Sequence, residues 1–456
     1  MEESMEQKNG ILEGTIWKQL LIFFFPMLFG AFFQMLYNTA DAIVVGKFVG
    51  KEALSAVGGT TGSLINLFVG FFMGISTGGT VTLAQFYGGK KQEEVSKTVH
   101  TAYALAIAGG FIIMIAGIIW APSLLRFMGT PDDIMPYSLT YIRIYFLGMI
   151  ANLIYNIGAG ILRAIGDSKS PLYYLIASCA VNIVLDLVFV LAFHWDVAGV
   201  AIATIMSQIC SAILITLKIM RTTDSYKLYI RQIRFHKDIM KRIIKIGLPA
   251  GFQSLMYTST NVFIQSHINT FGTDTIAAWA AYGKIDGVFW MVMNSFGISL
   301  TTFVGQNFGA MNLDRVKKGI RQCLIMASGT AVVMSIVLFN FGEYVFMLFA
   351  KDKDVIAQGI TILQFLVPFY ITYVCVEIFS GTLRAMGDAL MPMIISLCGI
   401  CVLRFVWLSI AVPLHRDIKT VVVSYPLAWT ITSVLFLIYY LFRKKKLMEV
   451  NFALTE

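Results

Sequence analysis

Residues 162–171 read LRAIGDSKSP and residues 383–392 read LRAMGDALMP, an offset of 221 positions. Leu162, Arg163, Ala164, Gly166, Asp167 and Pro171 recur as Leu383, Arg384, Ala385, Gly387, Asp388 and Pro392. At the same offset Gln85-Phe86-Tyr87-Gly88-Gly89 meets Gln306-Asn307-Phe308-Gly309-Ala310, and Val95 meets Val316. Further upstream Pro26 pairs with Pro249 and Gly50 with Gly272, at offsets of 223 and 222. Matched segments in the same order at a near-constant spacing mark an internal duplication.

Around these markers the chain is apolar. Of its 456 residues 57% are hydrophobic and 13% charged, against about 45–50% and about 25% in soluble domains. A soluble core that apolar leaves too few polar residues to cover its own surface. Hydrophobic windows predict helices over 16–46, 53–86, 98–120, 134–162, 171–193, 198–220, 240–270, 275–307, 319–349, 357–384, 391–413 and 420–441. Each is long enough for a hydrocarbon core of roughly 30 Å. The expected fold class is therefore an all-α polytopic membrane protein, with twelve transmembrane helices in two pseudo-symmetric six-helix bundles. Residues 1–220 form the first bundle, 221–240 a basic linker and 241–456 the second. Six spans per half give both halves the same orientation, with an axis along the membrane normal and a substrate path between them.

The net charge of +9 does not point to nucleic acid, because the basic residues sit in short loops between spans, where they set topology and meet anionic lipid. Of the 35 Lys and Arg, Arg143, Lys284 and Arg404 fall within spans. Lys47, Lys51, Arg126, Lys351, Lys353, Arg416 and Lys419 fall on one side, and the remainder share the side of the N-terminus. That bias predicts both termini inside. The opening MEESMEQKNG lacks the basic and short apolar regions of a cleavable leader, so the first span is expected to stay.

Polar groups inside a span are costly and therefore informative. Tyr37-Asn38-Thr39-Ala40-Asp41 interrupts the first helix, and a carboxylate at that depth needs a partner, a bound cation or a proton. A carboxylate near the helix end that faces water is the alternative, given Lys47 and Lys51 beyond it. Asn182 and Asp186, four apart, share a face of the fifth helix and would offer a neutral and an anionic oxygen to Na⁺ or a proton. Thr204 could add a hydroxyl, or the group could be a polar clamp between helices. The second half lacks counterparts: Asp41 aligns near Ile264 and Gln265, and Asp186 with Trp407. Lys284 and Asp286, two apart, do not face each other. With Gln34, Gln253, Met256 and Tyr257 they are candidates to line a cavity. Glu377 and Arg404 could pair with each other. Pro26, which removes a backbone hydrogen bond, could let its helix bend. Gly58, Gly62, Gly70, Gly74 and Gly78 form a smooth face for close packing.

Six cysteines lie in or beside hydrophobic segments. Cys398 and Cys401 have metal-motif spacing but no partner pair, so they read as packing residues. His100, His194, His236, His267 and His415 are scattered and make no catalytic or metal arrangement. No enzyme and no cofactor is expected.

With these residues in view, the chain resembles the multidrug and toxic compound extrusion (MATE) transporters over its whole length, from Pro26 to the last helix. The resemblance rests on the duplicated halves, the Gln85-Phe86-Tyr87-Gly88 and Gln306-Asn307-Phe308-Gly309 segments and the paired Leu-Arg-Ala-x-Gly-Asp loops. It implies export of cationic or amphipathic drugs by antiport with H⁺ or Na⁺, from a monomer in the bilayer of a bacterial inner membrane. The DinF-like branch is the nearer match. Its coupling pattern maps onto Asp41, Asn182, Asp186 and Thr204, with Tyr37 and Asn38 nearby, and these would also hold Na⁺ if Na⁺ is the coupling ion. The NorM-like branch uses an acid in the seventh helix, where this chain has Gln253 and Ser254. The rival reading is a flippase or exporter of a lipid-linked or polysaccharide precursor.

Overall fold

A chain threaded through hydrocarbon must satisfy its backbone within each segment, which leaves the helix as the element available to it. The computed structural model describes residues 10–450, and there the chain is helical with no strand. The acidic opening before Gly10 and the side chains of Lys444, Lys445 and Lys446 lie outside the described residues. In chain order the helices are α1 (Ile16–Phe48), α2 (Lys51–Gly58), α3 (Thr60–Gly88), α4 (Gln92–Phe127), α5 (Met135–Leu147), α6 (Met149–Ile165), α7 (Lys169–Leu187) and α8 (Asp196–Arg221). The second half has α9 (Lys237–Ile268), α10 (Thr273–Gly309), α11 (Leu313–Met347), α12 (Lys353–Leu366), α13 (Tyr370–Ala385), α14 (Leu390–Ser396), α15 (Leu403–Leu414) and α16 (Ile418–Val450).

Among the described residues ten helical stretches are long and apolar enough to cross a bilayer, and α5 with α6, bent by 51° at Gly148, make an eleventh. The remaining expected span is α9. Its 32 residues reach about 48 Å at 1.5 Å per residue, but Lys241, Lys245, Gln253, Ser254 and Asn261 make it too polar to pass on hydropathy. The twelve-helix, two-bundle arrangement fits. Several spans are less regular than their windows suggest. The second is broken at Gly59 between α2 and α3, and the tenth holds a 3-10 turn, Val367–Phe369, at Pro368, which cannot donate a backbone hydrogen bond. The fifth and eleventh each contain a π-helical turn, Val188–Ala192 and Leu397–Val402.

The duplication is visible in the backbone. Lys90 and Met311, 221 apart, both take the left-handed conformation, at φ 55° and 60°. The loops around them repeat bond for bond: Lys91 N donates to Phe86 O at 2.9 Å and Asn312 N to Asn307 O at 2.8 Å. Gly166 and Gly387 also share positive φ, and behind them Asp167 N and Asp388 N reach Leu162 O and Leu383 O at 2.8 and 2.9 Å. This closes both helices in the way that glycine at a C-terminus favours.

Contacts divide the chain into two compact units. One comprises residues 25–251 and the other residues up to 24 together with 252–456. The divisions fall inside α1 and α9, next to Pro26 and Pro249, rather than within the basic linker. In the first unit α6 is central, packing on α3, α4 and α8, while α7 lies on α8. In the second, α10 packs on α11 and α13, and α13 on α16. Ile325, Val333 and Ile336 of α11 are exposed, as suits side chains that meet lipid.

The stripe of glycines on the second span is used only in part. A Cβ on Gly78 would lie 2.2 Å from Ile243 O, and one on Gly74 2.2 Å from Gly251 N, so these two let α3 and α9 touch backbone to backbone. Gly58 has open space around it. Gly78→Ala should therefore lower the stability of the purified protein by about 2 kcal/mol through overpacking, with Gly58→Ala near neutral, as read by thermal unfolding.

The segment between α8 and α9 is held on the first unit through α4. His100 Nε2 accepts from Tyr229 N at 3.0 Å, leaving Nδ1 to donate to Ser96 O at 2.7 Å. His236 Nε2 accepts from Arg234 Nε at 3.2 Å, so Nδ1 donates to Thr101 Oγ1 at 3.1 Å. Burial, with the charges of Arg234 and Lys97 beside it, pushes the His236 imidazole below its ordinary value. The unfolded chain then takes the proton first. Stability from this docking is complete above about pH 6.5 and is lost as the pH falls through the depressed native value. The drop in melting temperature between about pH 7.5 and about pH 5.5 should shrink in His236→Gln.

Candidate functional site

Four polar side chains from three helices meet inside the first unit. Asp41 lies in α1, Asn182 and Asp186 one turn apart on α7, and Thr204 on α8. Their exposures are 5%, 0%, 0% and 1%. Asp41 lies within electrostatic reach of Asp186, Asn182 and Thr204. Yet Asp41 Oδ1, both oxygens of Asp186 and both polar atoms of Asn182 meet no hydrogen-bond partner among the described residues. Thr204 spends its proton on Val200 O at 2.9 Å, which leaves its oxygen lone pairs free to accept.

Two acceptor-only carboxylates cannot face each other in a dry interior while both are charged. Something positive has to sit between them, either a proton shared by the two carboxyls or a small cation. The oxygen set of two carboxyls, an amide and a hydroxyl fits a hard cation. It fits a proton equally well. The water-facing alternative for Asp41 is overturned by its burial.

Tyr37, one turn before Asp41, is buried, and its hydroxyl lies 3.4 Å from Ser207 Oγ on α8. Asn38 and Gln34 are exposed on α1, away from this cluster's buried face, and Pro26 is buried within the same helix. Sequence reading missed Tyr141 and Tyr145 of α5, whose phenols lie within electrostatic reach of Asp41. Their spacing of four residues, which puts both on one face of α5, was the signal available. A separate cavity of about 400 Å³ beside the Gly148 bend is lined by aliphatic residues such as Leu147, Ile150 and Ile213, and none of the four polar residues lines it.

The second unit contains a different polar interior. Asp286 is buried and fully served: Tyr282 Oη donates at 3.0 Å, Tyr370 Oη at 2.8 Å and Trp290 Nε1 at 2.7 Å. Lys284, on the same helix, is exposed. Gln253 Nε2 donates to Ser396 Oγ at 2.9 Å, with Tyr257 Oη at 3.3 Å, and Met256 is partly buried. Glu377 and Arg404, which the sequence allows as a pair, form no ion pair among the described residues. Glu377 instead accepts from Tyr373 Oη at 3.1 Å, while the Arg404 guanidinium sits 3.9 Å from the centre of the Tyr425 ring. The six cysteines are free thiols, and Cys398 is exposed while Cys401 is buried.

Comparison with known proteins gives a consistent result. The family model MatE matches residues 26–188 and again residues 249–408, so its two copies begin at Pro26 and Pro249. The probable multidrug resistance protein YoeA of Bacillus subtilis is 27% identical over 447 residues, covering 95% of each chain. The multidrug export protein MepA of Staphylococcus aureus is 21% identical over 384 residues, covering 84% of each. Among solved structures, a multidrug resistance MATE family transporter of the MOP superfamily in an outward-facing conformation superposes with a TM-score of 0.89 at 21% identity, over 97% of this chain and 99% of that one.

The two acids should behave oppositely on neutralisation. Asp186→Asn removes a buried carboxyl that makes no donor contact, so stability should hold or rise. Asp286→Asn can keep its oxygen toward the two phenols but then sets its N–H₂ against Trp290 Nε1, and it should cost about 2 kcal/mol. Thermal unfolding of the two purified variants checks both.

Proposed function

Because the chain belongs to the MatE family, we propose that it is a secondary active multidrug exporter that exchanges cationic or amphipathic organic compounds for H⁺ or Na⁺. The observation that carries this reading is the pair of buried carboxyls, Asp41 and Asp186, facing each other with unsatisfied oxygens. A transporter needs a group whose occupancy by a cation changes the energy of its states, and an unsatisfied buried acid pair is such a group. In this reading a proton or Na⁺ entering from outside occupies Asp41 and Asp186, with Asn182 and Thr204 completing the oxygen shell if Na⁺ is the ion. Occupancy favours release of the drug, and departure of the cation inside restores drug affinity. The ion acts only through its different affinity for the two states. Tyr37, Tyr141 and Tyr145 surround Asp41 and would confine the charge.

The same reading places the protein in the bacterial plasma membrane with both termini cytoplasmic, acting as a monomer, with no enzymatic chemistry. Names of relatives such as YoeA and MepA support the drug-export function. Adaptable apolar surface from 23 Met suits varied ligands.

Ethidium transport in energised everted vesicles tests the proposal, with Na⁺ and pH gradients imposed separately. One gradient should drive uptake, and Asp41→Asn and Asp186→Asn should each reduce that rate at least ~10-fold, a barrier raised by about 1.4 kcal/mol or more. Full activity in Asp41→Asn would end the coupling assignment. If neither gradient drives an organic cation, the flippase of lipid-linked precursors becomes the better reading.

A further inference from the structure

We propose that Arg404 is a receptor for a carboxylate, and that the second unit binds aromatic amphipaths that carry one. Arg404 lies on α15, only 4% exposed, and its Nε and Nη2 find no acceptor among the described residues. Those two nitrogens form one edge of the guanidinium. That edge presents two parallel N–H groups at the spacing of the two oxygens of a carboxylate, the bidentate geometry in which arginine binds anions best.

The acids nearby are not its partners. Asp286 attracts Arg404 only at a distance and spends its oxygens on Tyr282, Tyr370 and Trp290. Glu377 is bonded by Tyr373. The guanidinium carbon lies 3.9 Å from the centre of the Tyr425 ring and 5.9 Å from that of Trp429, and neither ring supplies an acceptor to the buried Nε–Nη2 edge. Such cation–π contacts are a smaller effect than leaving two charged N–H groups buried without an acceptor. The same rings supply flat apolar walls, which suits an aromatic ligand beside the anion.

The position of Arg404 in the repeat supports a binding role. It belongs to the eleventh span, which corresponds to the fifth span that carries Asp186. Both spans contain a π-helical turn next to their buried ionisable residue, after Asp186 at Val188–Ala192 and before Arg404 at Leu397–Val402. Such turns recur at functional sites. Equivalent helices of the two halves thus each present an unsatisfied buried ion of opposite sign, an acid in the first and a base in the second. The inference concerns binding, and it stands or falls separately from the coupling role of Asp41.

Matched probes isolate the carboxylate: rhodamine B, which carries a free carboxylate beside its cationic dye, and its ethyl ester, which keeps the cation alone. Fluorescence polarisation would follow both dyes on the purified full-length protein in nanodiscs. Arg404→Gln should weaken rhodamine B at least about 10-fold and leave the ester within about 3-fold. Arg404→Lys should fall between, since it keeps the charge and loses the fork. Benzoate should compete with rhodamine B only, while chloride at the same ionic strength should not, which separates a carboxylate receptor from a general anion site. Ester binding serves as the check that the variants fold. Equal losses for both dyes, no loss for either, chloride competing as well as benzoate, or no rhodamine B binding by the wild type would each overturn the assignment.

Discussion

Inside a bilayer no water is at hand to complete a hydrogen bond, so each polar group must be matched by the protein itself. Most of this chain obeys that constraint locally. Thr80 returns its hydroxyl to Ser76 O at 3.1 Å, Thr301 to Gly297 O at 2.7 Å and Thr382 to Ile378 O at 2.7 Å, each one turn back along its own helix. Larger groups are matched between helices, as Asp286 is by two phenols and an indole. Against that background the unmatched groups stand out. Among them Asn182 and Asp186 in one unit, and Arg404 in the other, each leave two buried atoms unmatched, and with Asp41 these are costs that packing alone does not explain.

The duplicated halves show which constraints outlast divergence. The turns after Gln85 and Gln306 keep the same hydrogen bonds and the same left-handed residue, although that residue is Lys90 in one and Met311 in the other. Backbone conformation was retained where neither side chain favours it, because the loop joins two helices that must leave at fixed angles. The interior followed the opposite course. Asp186 has no acidic counterpart, and a buried arginine stands three positions from its equivalent. The scaffold repeats and the chemistry does not.

How far the molecule could be read in advance follows the same division. Helices were legible because hydrocarbon demands long apolar runs, and the duplication was legible because turn geometry preserves Gly, Asp and Pro at fixed spacing. Asp41, Asn182, Asp186 and Thr204 were legible as rare polar intrusions, and the structure brings those four together. What was hidden depended on contacts between distant positions. Tyr141 and Tyr145 look like ordinary aromatics until α5 is placed beside α1. Arg404 looked like the partner of Glu377 until the π turn before it and the ring of Tyr425 set its direction. The span at α9 was legible in spite of its polar residues, some of which face protein, as Gln253 and Thr260 do at 7% and 6% exposure, while Lys241, Lys245 and Asn261 are exposed.

The division of contacts inside α1 and α9 has a consequence for how the protein is made. Residues up to Phe24 belong with residues 252–456: Asn307 Nδ2 and Arg315 Nη2 hold Ile11 O at 3.3 and 3.0 Å. Ile11 is therefore synthesised well before the side chain that holds it, Asn307 following 296 positions later. Closing that distance costs loop entropy that local helix pairing does not. The first unit is likewise incomplete until residue 251 has emerged. Neither half of the duplicated sequence thus closes on its own contacts, because each compact unit includes the start of the other half's first helix.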